Sequence, residues 1–308
     1  MKNTLLKIFV CMFALSVAAV LAQAQTKQAS HDFSAFDTID IEYDFNVNVV
    51  KSDKDYSISL SVDDVLMEYV QTYVKNHTLY LAIDKKNLPS DIKKLYKGRK
   101  SADPVLNATV YVASALECVN LRGGASLYVS DEIECKNFEL NISENANVKK
   151  LNVDAADFKV SSNNKAVAEL VVYADNITIN ADGNSKLNIE QDSENLEINA
   201  QGNCDVTVNG EALETSTKAS QSASVTFVGK TNNLNINANG SSKIDALNLK
   251  TPECTVDLSG NSKVTESASD KLHVTMSTGS SLVFDGEPAI DIVNVKNASI
   301  SRFGASKK

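Results

Sequence analysis

The chain has 308 residues, no Trp, 4 Pro, 3 His and a formal net charge of −9. Such an acidic balance argues against nucleic acid as a partner, because phosphate binding rests on clustered Lys and Arg. Three scattered His leave little for a His-based metal or catalytic cluster.

At the start, Lys2 and Lys7 form a positive n-region, an apolar stretch runs from Leu5 to Leu21, and Ala22-Gln23-Ala24 has the form of a cleavage site. This is the layout of a secretory signal peptide, predicted over residues 1–24. The uninterrupted apolar run from Ile8 to Ala22 is short for a membrane-spanning helix, and no positive stop-transfer cluster follows it. The expectation is an exported protein of the periplasm or cell surface of a Gram-negative bacterium, with no spanning segment after cleavage. Loss of Lys2 and Lys7 takes the net charge from −9 to −11. Cys118, Cys135, Cys204 and Cys254 remain. An even count in an oxidising compartment permits disulfides, but Cys204 stands where the repeat described below has Ala or Ser. That favours unpaired Cys acting as small hydrophobes.

Residues 25–35 read as a flexible segment, and residues 36–117 as strands outside the repeat. Ile39 to Ile41, Phe45 to Val49 and Tyr56 to Leu60 alternate apolar and polar side chains, the period of a half-buried strand. Asp63 to Glu68 suggests a helical turn. Val70 to Val74 and Leu79 to Ile83 read as a hairpin about Asn76-His77, and Thr109 to Val112 leads into the first rung. Between them, Lys85, Lys86, Lys93, Lys94, Lys97, Arg99 and Lys100 concentrate positive charge in an acidic protein. Ser90 is placed to cap a short helix there, Ile92, Leu95 and Tyr96 to give it an apolar side, and Gly98 to end it. Lys93, Lys94, Tyr96, Lys97 and Arg99 form a candidate contact for an anionic polymer or lipid head group, against the plainer reading of a solvated insertion.

From residue 118 to 304 the sequence repeats itself. ITINADGNSKLNI begins at Ile177, LEINAQGNCDVTV at Leu196, and LNINANGSSKIDA at Leu234. Thr215 begins a further unit in step with them, and weaker copies extend to both sides. Each unit of about 19 residues reads as two alternating strands around a polar corner. Asp182-Gly183-Asn184 is turn chemistry, since Gly and Asn accept left-handed backbone angles. A unit of this size buries its apolar face only by stacking on its neighbours, and the connections are too short for helical crossovers. The predicted fold is all-β: a right-handed parallel β-helix, with residues 36–117 as its N-terminal cap. A column of small residues supports the coil over a β-sandwich: Ala125, Ala146, Ala166, Ser185, Cys204, Ala223, Ser242, Ser262, Ser281 and Ala298. A second column, Asn141, Asn180, Asn199 and Asn237, suits rung-to-rung amide bonding, with an Asn-lined ligand groove as the alternative.

The opening FDTIDIEYDFNVNVV, the segments LMEYVQTYVKNHTLYLAI and LECVNLRGGASLYV, corners such as LSGNSKV and the ending LVFDGEPAI…ASISRFG resemble the head GIN domain of putative auto-transporter adhesins over residues 36–304. The resemblance implies an exported β-helical head of the kind made by Bacteroidota-type bacteria, and carries no catalytic residues over.

The sequence offers little chemistry. A β-helix polysaccharide lyase, one enzyme alternative, needs clustered acids for Ca²⁺ and a basic residue to abstract a proton. Arg occurs only at 99, 122 and 302, outside the middle rungs. A glycoside hydrolase needs facing carboxylates, and Asp182 and Asp205 fall in different columns. His31, His77 and His273 read as surface residues, and no phosphate-binding or dinucleotide fingerprint occurs. The expectation is a non-catalytic, adhesin-like binding or structural protein without metal or cofactor, its partner a cell-surface glycan or an envelope protein.

Overall fold

The computed structural model describes residues 26–96 and 103–304, so the signal peptide prediction lies outside the described residues. Twenty strands join in one sheet. In the N-terminal part these are β1 (Thr26–Asp32), β2 (Thr38–Glu42), β3 (Asn46–Lys51), β4 (Ser57–Asp63), helix α1 (Asp64–Met67), β5 (Val70–Lys75), β6 (Thr78–Ile83), helix α2 (Ser90–Leu95) and β7 (Leu106–Val112). Next come β8 (Cys118–Arg122), β9 (Ser126–Val129), β10 (Ile133–Ile142), β11 (Asn147–Ser162) and β12 (Val167–Ala181). The long central strands are β13 (Lys186–Ala200), β14 (Asp205–Ala219), β15 (Ser224–Ala238), β16 (Lys243–Leu258) and β17 (Lys263–Ser277). The last three are β18 (Ser281–Phe284), β19 (Ala289–Lys296) and β20 (Ser299–Arg302).

The repeat coils into a β-solenoid of about ten rungs. β13, β14 and β15 pair in parallel with every residue opposite the one 19 positions on, as in Leu187–Val206–Val225. Each rung has two legs. In β13, Leu187 and Ile189 face inward on one leg and Leu196 and Ile198 on the other, while Asn188 and Glu197 face out. Stacking turns this alternation into continuous core columns. Leu187, Val206, Val225, Ile244, Val264 and Leu282 lie directly above one another and are all buried. Each such side chain contributes about 1.5–3 kcal/mol of burial. At about 4.8 Å per rung, ten rungs make a rod about 45 Å long.

The corners between legs repeat one conformation. Asn164, Gly183, Gly202 and Gln221 occupy equivalent positions with φ of 60°, 69°, 84° and 61°. Their carbonyls accept from the next rung: Asn184 N–H donates to Asn164 O at 2.5 Å, and Asn203 N–H to Gly183 O at 2.6 Å. Left-handed backbone costs little for Gly and is tolerated by Asn. The residue two places on points inward, and there the small column is fully buried: Ala146, Ala166, Ser185, Cys204, Ala223, Ser242 and Ser262. One position differs from expectation. Ser281 pairs with Lys263 and faces outward; the buried corner residue is Ser280. The last rungs shorten by one residue, which displaces the repeat. A second close approach lies mid-rung, at Gly210 and Gly229, with φ of 143° and 131°. A Cβ on Gly210 would land on the carbonyl oxygen of Gln191.

The N-terminal part departs further from the sequence reading. Two rungs precede Cys118, in reversed spatial order. β2 lies between β6 and β8, and β3 between β7 and β9, all in parallel. The chain thus builds its second rung first, makes an excursion, adds the outermost rung, and then steps over to continue. The excursions break the 19-residue period, so these rungs do not register as repeats. The hairpin about Asn76-His77 is present, with both residues at positive φ, and so is the helical turn at Asp64. β4 and then β1 continue the sheet from β7 in antiparallel pairing. β1 covers most of the segment expected to be flexible. Backbone pairing to β4 orders it, with Ala29 against the core and Lys27 paired to Asp64 at 2.6 Å; six of its seven side chains are exposed and no apolar alternation marks it.

Glu266 is fully buried, facing inward at a position equivalent to Ala246 and Phe284 in the adjoining rungs. Its Oε2 accepts from Ala268 N–H at 2.7 Å, and its Oε1 has no partner. Burial pushes the acid up to about 7 against that hydrogen bond. Cys204 and Cys254 are buried and unpaired, and Cys118 and Cys135 are half-buried and unpaired. Burial raises all four thiols.

Two outcomes follow. Ala223→Leu should destabilise by about 1–3 kcal/mol through overpacking, whereas Lys186→Leu, on the exposed face, should stay within about 0.5 kcal/mol; denaturant titration compares them, and equal costs contradict the register. Glu266 keeps its proton in the folded state while the unfolded chain ionises, so its stabilising contribution is complete below about pH 4 and is lost as pH rises through 7. Thermal melts across this range should show Glu266→Gln gaining on the parent protein by up to about 3 kcal/mol at the alkaline end.

Candidate functional site

The predicted basic contact is only partly brought together. Lys93, Lys94 and Tyr96 lie on and after α2, while Lys97 and Arg99 fall outside the described residues. The helix starts at Ser90, with Pro89 rather than Ser90 in the N-cap position and no side-chain cap. Ile92 and Tyr96 pack against the core. Tyr96 Oη donates to Asp63 Oδ2 at 2.9 Å, and Val105 N–H donates to the same oxygen at 3.2 Å. Burial, then the bond to Asp63, push the Tyr96 hydroxyl up to about 12. Tyr96 therefore fastens the insertion to buried Asp63.

A concavity of about 560 Å³ lies elsewhere, on the middle rungs where the second leg runs into the corner. Two outward columns line it. One is Ser161, Asn180, Asn199, Lys218 and Asn237; the other includes Asp182, Gln201, Ser220 and Asn239. Between them runs an inward column that is small here: Ser162, Ala181, Ala200 and Ala219. Ile142 and Leu258 take this column in the rungs that flank the small run, and they lie outside the concavity. The groove thus follows the rungs whose strand end carries no bulky inward side chain.

Amides recur along it. Asn199 Nδ2 donates to Asn180 Oδ1 at 3.2 Å and also to Glu197 Oε1 at 3.2 Å. Asn141 Nδ2 donates to Asn120 Oδ1 at 3.0 Å in the same column two rungs away. The amide ladder expected from the sequence therefore exists, interrupted by Ser161 and Lys218, and it also lines the groove. Asp182 Oδ1 accepts from Gly183 N–H at 2.6 Å, a turn role. Lys218 pairs with Glu197 at 3.4 Å. The flanking column of Asp182, Gln201, Ser220 and Asn239 was not singled out from the sequence. The run of small residues at Ser162, Ala181, Ala200 and Ala219 was its available signal.

Among the described residues, no three His, Cys, Asp or Glu side chains are placed to hold a metal ion. Glu266, whose acid sits near neutrality, is sealed in the core. Asp205 pairs in register with Lys186 and Ser224, in a different column from Asp182. His273 faces outward to Asp291 at 3.2 Å. A second concavity of about 390 Å³ on another face carries Tyr173, Leu213, Asp175, Asp192 and Glu194. Among the described residues no helix is long and apolar enough to cross a membrane.

Among curated proteins none matches the chain. Solved structures do. A putative adhesin from Parabacteroides distasonis is 17% identical, with 91% of this chain and 98% of that one covered and a TM-score of 0.47. A putative lipid binding protein from the same species is 16% identical, with 91% and 97% covered and a TM-score of 0.48. A putative adhesin from Parabacteroides merdae is 15% identical, with 91% and 97% covered and a TM-score of 0.42. The family model described as "Putative auto-transporter adhesin, head GIN domain" matches residues 35–191 and 171–288. With most of its length matched, the chain belongs to this head GIN domain family of adhesin-like proteins.

Proposed function

We propose that the protein is an exported, non-catalytic binding protein of the cell envelope whose amide-lined groove takes a glycan. The observation that carries this reading is the groove itself. It offers amide donors and acceptors on two successive rungs about 4.8 Å apart, at Asn180 and Asn199, and again two rungs on at Asn237. A linear, polyhydroxylated chain presents hydroxyls at regular intervals, and amides both donate to and accept from hydroxyls. The secretory layout of residues 1–24 and the adhesin description of the family support export. Lys93 and Lys94 on the capping insertion supply a second contact for glycans that carry acidic groups.

A glycan array followed by calorimetric titration tests this. The Asn180→Ala/Asn199→Ala double variant should lose most binding while its melting temperature changes little, since a partly exposed side-chain hydrogen bond contributes about 1 kcal/mol. For acidic glycans, neutralising Lys93, Lys94 and Lys97 together should weaken binding, and the difference should shrink as salt screens exposed charge. Undiminished binding by the groove variant would contradict the assignment, and depolymerisation of a bound polysaccharide would contradict the non-catalytic reading.

A further inference from the structure

The two ends of the rod are finished differently. At the N-terminal end, β4 and then β1 extend the sheet beyond β7, β5 folds back on β6, and Leu66 of α1 packs into the core. At the other end, among the described residues, β19 pairs only with β17, and β20 only with β18. Ile290, Ile292 and Val295 continue the inward columns of Leu272, Val274 and Met276, yet they are 41%, 55% and 38% exposed. Phe303, just after β20, adds a further exposed ring. An edge with unpaired backbone groups and an open apolar core is the kind of surface that recruits another strand.

We propose that this face pairs with the same face of a second copy of the chain, β19 running antiparallel to its counterpart. The sequence of β19 is self-complementary in one register. A bulge falls between Ile292 and Asn294, because Val274 pairs with Ile292 and Thr275 with Asn294. The bulge reverses the alternation, so Ile292 and Val295 face the core although they are three residues apart. Setting Ile292 opposite the other copy's Val295 brings core-facing residues together on both sides of the two-fold axis. The same register sets Asp291 opposite Lys296 twice, on the solvent face. The backbone supports it. The Lys296 carbonyl accepts from Thr278 N–H at 3.0 Å, toward the rod, so by alternation the N–H and C=O of Val295 face the open end. Ile292–Val295 would be the hydrogen-bonded pairs, and Asp291–Lys296 the intervening pairs, whose side chains approach more closely. A two-fold contact needs this kind of self-matching patch, and it would turn two short rods into one with a capped end on either side.

Analytical ultracentrifugation of the purified protein across the micromolar range tests the contact. The parent protein should be a dimer. Asp291→Lys alone, or Lys296→Asp alone, should weaken association by about tenfold or more, because each places like charges opposite one another. The double exchange Asp291→Lys/Lys296→Asp should restore the dimer, and circular dichroism should show all variants folded. A parent protein that stays monomeric overturns the proposal. So does a dimer indifferent to the single exchanges, or one that the double exchange fails to rescue; either result would hand the face to another occupant.

Discussion

Parallel pairing between successive rungs governs this molecule. A strand can bond the rung above and the rung below only if all three follow the same path, so each turn of the coil must make its corner in the same way. That requirement appears on the outside of the corner as a left-handed residue, Gly183 or Gly202 in some rungs and Asn164 or Gln221 in others. It appears on the inside as a small buried one, Ser185, Cys204 or Ala223. The outer residue is chosen by backbone angle and the inner one by volume. Once both are satisfied, apolar side chains on the legs stack into continuous columns, and the core extends with the rod instead of closing on itself.

This constraint explains what could be read in the sequence and what could not. The period, the parallel coil and the small column were legible from Ala125 to Ser262, because there each rung repeats every demand at nearly fixed spacing. Legibility failed where spacing failed. Ser280 replaces the expected Ser281 after one residue is lost. The rungs of β2–β3 and β6–β7 were hidden because their excursions separate pieces that are neighbours in space. β1 was hidden for a different reason: it is ordered by backbone pairing to β4, which leaves no trace in side-chain pattern. Of the candidate site, the Asn column was visible, and sequence alone could not separate a ladder from a ligand groove, since an amide that bonds its neighbour in the ladder also faces solvent. In the basic insertion, charge alone did not reveal that Tyr96 is tied to buried Asp63.

Function follows from the same geometry. A coil repeats not only its core but its surface, so a side chain suited to a ligand at one rung is offered again at the next. Where the inward column shrinks to Ser162, Ala181, Ala200 and Ala219, the repeated surface becomes a groove. A coil also has ends, and here one carries added strands and a helix while the other presents Ile290, Ile292 and Val295. The buried Glu266 is an inward acid in this scheme, tolerated because burial keeps it protonated up to about neutral pH.

The most direct test of rung congruence is removal of one rung. Deleting Lys186 to Cys204 joins Ser185 to Asp205, and Asp205 then takes the place of Lys186, 19 residues earlier in the coil. The shortened protein should keep its β-sheet circular dichroism and melt cooperatively, with every column intact. Deleting one residue fewer shifts the strand by one place and turns its apolar set outward, so that variant should lose its cooperative transition. Equal behaviour of the two deletions would contradict the account.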